Sequence, residues 1–253
     1  DEPIAAGMLS KTIENAQKKV EGRNFEIRKY VLQYDNVMNK QREVIYEQRR
    51  RVLFDDNVKE YVMDMMDDLV KGAVEPITIG SKYAEEWNLE LMNKNLKRIT
   101  GRFDGLNYTE EQIGGLTAEQ LEEDAVNAFH KLYDEKEAEI GADRMREVEK
   151  MIMLRVVDNR WMDHIDAMDD LKQGIGLRAL GQMDPAAAYA NEGFDMFEEM
   201  ISDIREETVR YCFNVTINTS TERKSVIKGG QSRKDEYKDE SRTRAAHGGH
   251  GTG

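Results

Sequence analysis

Cysteine, proline and long apolar runs are all scarce in this chain, and each scarcity removes a class of answer. Cys212 is the single cysteine, which excludes an intramolecular disulfide and a cysteine-based metal site and fits a reducing compartment. Three prolines leave long stretches free of helix breakers. No run approaches the roughly 18 consecutive apolar residues of a membrane span, so the chain is expected to be soluble and any membrane association peripheral. The opening Asp1-Glu2-Pro3-Ile4 lacks a signal-peptide pattern. The glycine-rich phosphate loop ending in Gly-Lys-Ser/Thr is missing, as is a glycine fingerprint for dinucleotides behind a strand. Strand signals are nearly absent. No nucleophile with a nearby base can be picked out. The residues themselves therefore offer no active site and no cofactor site.

What is present is charge and helical patterning. Charged residues make up 34% and hydrophobic ones 39%, against roughly 25% charged in an ordinary globular chain. Long helices that expose a polar face give this balance. The net charge of −13 speaks against a nucleic-acid partner. The charge is uneven. Lys11 to Arg51 holds eleven basic and six acidic residues, whereas Glu110 to Ile140 holds ten acidic and two basic ones. Docking faces and solvated helix faces both account for this.

One helical pattern runs from about Met8 to Phe54 without proline. Ile27, Tyr30, Val31, Tyr34, Val37, Met38, Val44, Ile45 and Val52 fall at the spacings of an apolar helix stripe. Such a helix is about 70 Å long, longer than a small domain, so it must lie across several partners. Gly22 is its weak point. Glu43 and Glu47 are placed to pair with Arg50 and Arg51.

The composition changes from Asp55 to Gly141. Asp55-Asp56-Asn57 predicts a helix start, with that helix ending near Lys71 and Gly72 and the chain broken at Pro76 and Gly80. Ser81 is the expected cap of a helix carrying Trp87, Leu91 and Leu96. Thr109 with Gln112 and Thr117 with Gln120 each fit a capping box, of which one suffices. The second precedes a stripe of Leu121, Ala125, Ala128, Phe129 and Leu132.

A hairpin follows. Met153, Val157, Trp161, Ile165, Met168 and Leu171 share one face of its first arm, and Tyr189, Phe197, Met200, Ile204 and Tyr211 one face of its second. Asp184-Pro185 is a strong helix start. Gly174, Gly176 and Gly181 are the expected turning points, presenting Leu177, Arg178 and Leu180 at the tip. His164 has Asp163, Asp166 and Asp169 near it in sequence. Around a helix, however, Asp163 points about 100° away and Asp166 about 200°. A partly buried polar histidine beside Trp161 is favoured over a metal or acid–base site. From Thr216 to Gly253 the chain reads as a disordered charged tail. Its His247 and His250 lack visible further ligands for a metal.

Two stretches carry a family resemblance. Asn15 to Tyr46, NAQKKVEGRNFEIRKYVLQYDNVMNKQREVIY, resembles the long scaffold helix of the SecA family of bacterial preprotein translocase motors. Trp161-x-x-His164-Ile-Asp-Ala-Met-Asp-Asp-Leu-Lys-Gln-Gly-Ile-Gly-Leu-Arg178, with Gln182-x-Asp184-Pro185, is similar to that family's two-helix finger. The matches are in the family's order and, with the helical insert between them, cover Ile4 to Val215. The fold expected is all-α: a long scaffold helix over 1–54, an inserted helical wing-like subdomain over 55–141, a two-helix finger and end of scaffold over 142–215, and a disordered tail over 216–253.

The resemblance also implies a function. In the family the nucleotide-binding motor domains and a preprotein cross-linking domain precede the scaffold, so this chain corresponds to the C-terminal part. It is expected to hold no ATP or magnesium and to hydrolyse no ATP alone. The implied partners are an unfolded preprotein with its signal peptide, a SecY-type membrane channel, the motor domains of the same protein and an anionic membrane surface. The implied location is the cytoplasmic face of the plasma membrane. Leu177, Arg178, Leu180 and Gln182 are the expected preprotein or channel contacts at the finger tip, and Tyr30, Tyr34, Val37, Trp161 and His164 the expected structural seam. Leu180 stands where many members carry a bulky aromatic, and the cysteines of the family's zinc-binding tail are missing. A stand-alone helical adaptor is the alternative reading.

Overall fold

The computed structural model describes residues 2–55, 58–178 and 184–216. Among them are seven α-helices and no strand. They are α1 (Glu2–Phe54), α2 (Val58–Thr78), α3 (Leu89–Thr100), α4 (Glu110–Ile113), α5 (Ala118–Ile140), α6 (Ala142–Arg178) and α7 (Pro185–Asn214), with a single 3-10 turn at Ala84–Glu86. The expected disordered tail, His247 and His250 lie outside the described residues.

Helix α1 runs for 53 residues straight through Gly22, about 80 Å at helical rise. The Glu47–Arg51 pair forms at 2.6 Å. Its apolar stripe is covered only in part. Ile45 is buried and Tyr34, Val37 and Met38 are half-buried, but Ile27, Val31 and Val44 are exposed. The reason is reach: among the described residues the hairpin lies against α1 only from about Tyr30 onward.

The α2 helix extends past the expected stop. Pro76 is inside it. The carbonyl that a proline ring crowds belongs to the residue four back, here Gly72, which is exposed with open space around it. Val74 on the next turn is buried, so packing holds the last turn in place. Thr78 Oγ1 then donates to the carbonyl of Val74 at 3.1 Å, and the chain breaks at Gly80 as the sequence indicates. Ser81 does not cap α3. Its Oγ accepts from the Tyr83 amide, its carbonyl accepts from Trp87 Nε1, and Asn88 caps α3 by accepting from Leu91 N. Trp87 thus precedes α3 and is buried, while Leu91 is exposed. Gly101 closes α3 at φ 68°, a left-handed position where a side chain is disfavoured. Both capping boxes form, at Thr109 with Gln112 and at Thr117 with Gln120.

One core joins α2, α3 and α5 to the bases of α6 and α7. Val62, Met66 and Val70 meet Met92 and Leu96, Leu121, Ala125 and Phe129, and Met145 and Met153. Phe213 on α7 lies edge-on to Phe129 at 6.1 Å and to Tyr133 at 5.9 Å. The second arm departs from the expected stripe here: Tyr211 is exposed, and Val209, Cys212 and Phe213 take the buried positions. α7 meets a new neighbour at its end, and the face that is buried rotates to follow it. Burial also raises the Cys212 thiol well above its usual range.

An ionisable group sits inside this core. Glu149 on α6 is fully buried. Tyr133 donates to its Oε1, and Arg146 reaches the same oxygen at 2.9 Å while pairing with Glu137 at 2.8 Å. Burial pushes the Glu149 carboxyl up to about 8, with the Lys59 ammonium opposing. A raised carboxyl favours the fold only while protonated. Its contribution is full below the ordinary value of 4.5 and is lost as pH rises through about 8. Glu149→Gln should therefore gain stability relative to the parent as pH is raised from about 5 to about 9, read from urea midpoints across that range. Parallel pH profiles for the two proteins would show that the ionised carboxylate is accommodated at no cost.

Candidate functional site

The hairpin of α6 and α7 is built from two apolar faces in antiparallel contact. Trp161, Val156 and Val157 of α6 meet Phe197, Met200 and Ile204 of α7. Nearer the turn, Met168 and Ile175 meet Ala188 and Tyr189. Arg160 ties the arms from outside, 3.1 Å from Asp203 and 2.9 Å from Glu207. α6 stays helical through Gly174 and Gly176 to Arg178, so these glycines do not make the turn. A glycine inside a helix costs up to about 1 kcal/mol, which the packing of Met168 and Ile175 offsets. Asp184 caps the return helix, accepting from Ala187 N at 3.3 Å, with Pro185 in the first position. Leu177 and Arg178 belong to the last turn of α6. Leu180 and Gln182 lie outside the described residues.

Helix α1 lies against both arms. Tyr34 contacts the Tyr189 ring at 4.6 Å between centroids, Lys172 Nζ lies 5.9 Å from the Tyr34 ring centroid, and Tyr30 stacks on Tyr34 at 6.4 Å. Val37 and Met38 pack on the Met168 and Tyr189 cluster, and Ile45 on the Trp161 cluster. Arg49 of α1 pairs with Asp158 of α6. The structure thus brings Tyr34, Val37, Trp161 and His164 to one seam, with Tyr30 at its edge.

His164 sits buried in that seam. Its ring lies between Trp161 at 5.6 Å and Phe197 at 5.7 Å. Burial lowers its basicity. Its Nε2 is 3.0 Å from Gln41 Oε1, and Gln41 Nε2 donates to the Gly193 carbonyl at 2.8 Å. With the amide nitrogen committed to Gly193, the amide oxygen is the acceptor and His164 Nε2–H the donor. Burial likewise pushes the Tyr189 hydroxyl up to about 12. Sequence reasoning passed over Gln41 and Gly193. The signal was there for Gln41, a polar residue on the stripe of Tyr34, Val37 and Ile45. Among the described residues no group of three His, Cys, Asp or Glu is arranged to hold a metal. No helix there is long and apolar enough to cross a membrane.

Trp161 is 7% exposed in the middle of the seam. Trp161→Ala should cost about 3–5 kcal/mol of unfolding free energy, measured by urea denaturation. A loss under about 0.5 kcal/mol, the range of ordinary surface changes, would contradict the buried placement.

The hairpin and α1 together form one packed three-helix seam. Residues 3–216 match the SecA Wing and Scaffold domain family. The chain is 54% identical over 228 residues to protein translocase subunit SecA 1 of Alkaliphilus metalliredigens, covering 90% of this chain and 25% of that protein. It is 50% identical over 227 residues to SecA 1 of Clostridioides difficile, again covering 90% and 25%. Against SecA of Pelotomaculum thermopropionicum it is 47% identical over 217 residues, covering 86% and 24%. The chain spans about a quarter of the length of these curated relatives. On the extent of the family match and the identity to these relatives, the chain belongs to the SecA wing and scaffold family.

Proposed function

We propose that this segment is the scaffold-and-finger part of a preprotein translocase motor. The hairpin tip touches the moving polypeptide, and α1 couples the hairpin to ATPase domains elsewhere in the full-length protein. The observation that carries the reading is the clamp of both hairpin arms along α1. Trp161, Phe197 and Ile45 share one buried cluster, and Tyr34 meets Tyr189. A packed interior resists deformation, so displacement of α1 carries the hairpin with it. The relatives' printed name, protein translocase subunit, supplies the task.

On this reading the partners are an unfolded preprotein with its signal peptide, a SecY-type channel and the protein's own motor domains, which bind ATP and magnesium. The work takes place at the cytoplasmic face of the plasma membrane, with an anionic lipid surface nearby. The helices at 1–54 and 142–215 act as scaffold and finger, and those within 55–141 as the wing. Leu177, Arg178, Leu180 and Gln182 form the contact tip. Apolar and basic side chains there suit a chain of any sequence, since they engage backbone carbonyls and apolar groups alike.

Two measurements test this. In a full-length motor carrying these residues, Leu180→Gly should impair transport while ATP binding persists. A photo-cross-linker at Leu180 should capture a stalled preprotein or the channel. Normal transport together with no such adduct would reduce the tip to a simple turn. Separately, the purified chain should hydrolyse ATP no faster than background. Saturable turnover by a contaminant-free preparation would place an ATPase site where none is expected.

A further inference from the structure

The geometry points to Gln41 as the residue that fixes the axial register between the long helix and the hairpin. On the function proposed above, on which this rests, Gln41 is a positioning residue for the tip.

The buried part of the seam around it is apolar, with the Arg49–Asp158 pair at its solvent-exposed rim: Tyr34, Val37, Met38 and Ile45 from α1 face Trp161, Met168, Tyr189 and Phe197. Apolar contacts are non-directional. A slip of one helical turn, about 5.4 Å, would exchange one such contact for another. Gln41 is different. It is 7% exposed, and its two amide atoms are spent on two different arms: Nε2 on the Gly193 carbonyl of α7 at 2.8 Å, Oε1 on His164 of α6 at 3.0 Å. One turn away in either direction, α1 presents Val37 or Ile45 at this place. Neither can accept from His164, whose N–H would then be buried without a partner. A buried polar side chain that fixes register in an otherwise apolar helix seam is well attested.

The surroundings are built to match. His164 packs against the Trp161 and Phe197 rings, so turning it to follow a sliding partner would disturb both contacts. A Cβ at Gly193 would stand 2.6 Å from Met168 Cε and 3.2 Å from its Sδ, so the flexible end of Met168 would have to move aside, and 3.8 Å from Val37 Cγ1. The Gly193 carbonyl faces α1, where it accepts from Gln41 Nε2. Three helices therefore meet at one directed hydrogen-bonded point. Because both arms are held, α1 cannot slide along the hairpin without breaking it.

The test uses the full chain with spin labels at two exposed positions, Lys40 on α1 and Asp195 on α7. The parent should give one narrow distance distribution. Gln41→Leu should fold, by circular dichroism, yet broaden that distribution or add a second maximum. His164→Phe keeps a ring of similar size and should do the same, so the test survives if one variant fails to fold. His164→Gln retains a donor and should restore the narrow peak. Unchanged narrow distances in both apolar variants overturn the inference. In a full-length motor carrying these residues, Gln41→Leu should raise the ATP consumed per preprotein transported several-fold, with hydrolysis in the absence of preprotein unaltered. Broadened distances with a normal ratio would uphold the register role and count against the tip as the moving contact.

Discussion

Helix α7 is shared between two cores, and the rest of the structure depends on that sharing. Along its first half Tyr189, Phe197 and Met200 close the seam with α1 and α6. Along its last turns Val209, Cys212 and Phe213 enter the core formed by α2, α3 and α5. One helix thus belongs to the hairpin and to the helical insert at once. Neither can shift relative to the other without opening a buried interface, and interiors packed to crystal-like density do not deform gradually.

Polar groups mark the junctions of this scheme. Gln41 and His164 sit where α1 crosses both arms. Tyr133, Glu149 and Arg146 meet where α5 crosses the base of α6, through Glu149 Oε1, while Glu149 Oε2 and Arg146 Nε have no hydrogen-bond partner. Buried polar groups that find partners specify arrangement more than they add stability. Surface ion pairs such as Lys18–Glu14 contribute little by comparison. The fold therefore divides its labour, with apolar area supplying cohesion and a few directed bonds supplying register.

The exposed first half of α1 fits the same logic. Leu9, Ile13, Val20 and Ile27 are exposed, and they continue the face on which Tyr34, Val37 and Gln41 meet the hairpin. Their spacings of four and seven keep one side of the helix apolar beyond the point where the hairpin ends. A helix of this length is held by its packed half, and the other half keeps its register through intrahelical bonds alone.

Much was legible in the sequence, for identifiable reasons. Helix periodicity without proline predicted α1, because an apolar stripe over so many turns has few other readings. Thr–Gln capping boxes and Asp184-Pro185 marked helix starts through local backbone chemistry that needs no tertiary partner. The Trp161 and His164 pairing was legible because residues three apart share a helix face. The tertiary structure decided what depends on neighbours distant in sequence. Pro76 stays helical because Val74 is buried. Tyr211 is exposed and Cys212 buried because α7 changes partners. Glycines 174 and 176 stay helical on either side of Ile175, which is buried against α7. Gln41 became a crossing point only when two helices more than a hundred residues later came to its sides. Local chemistry fixes where helices begin and which faces are apolar. Which apolar face meets which, and where a polar group among them finds its partners, is settled by packing alone.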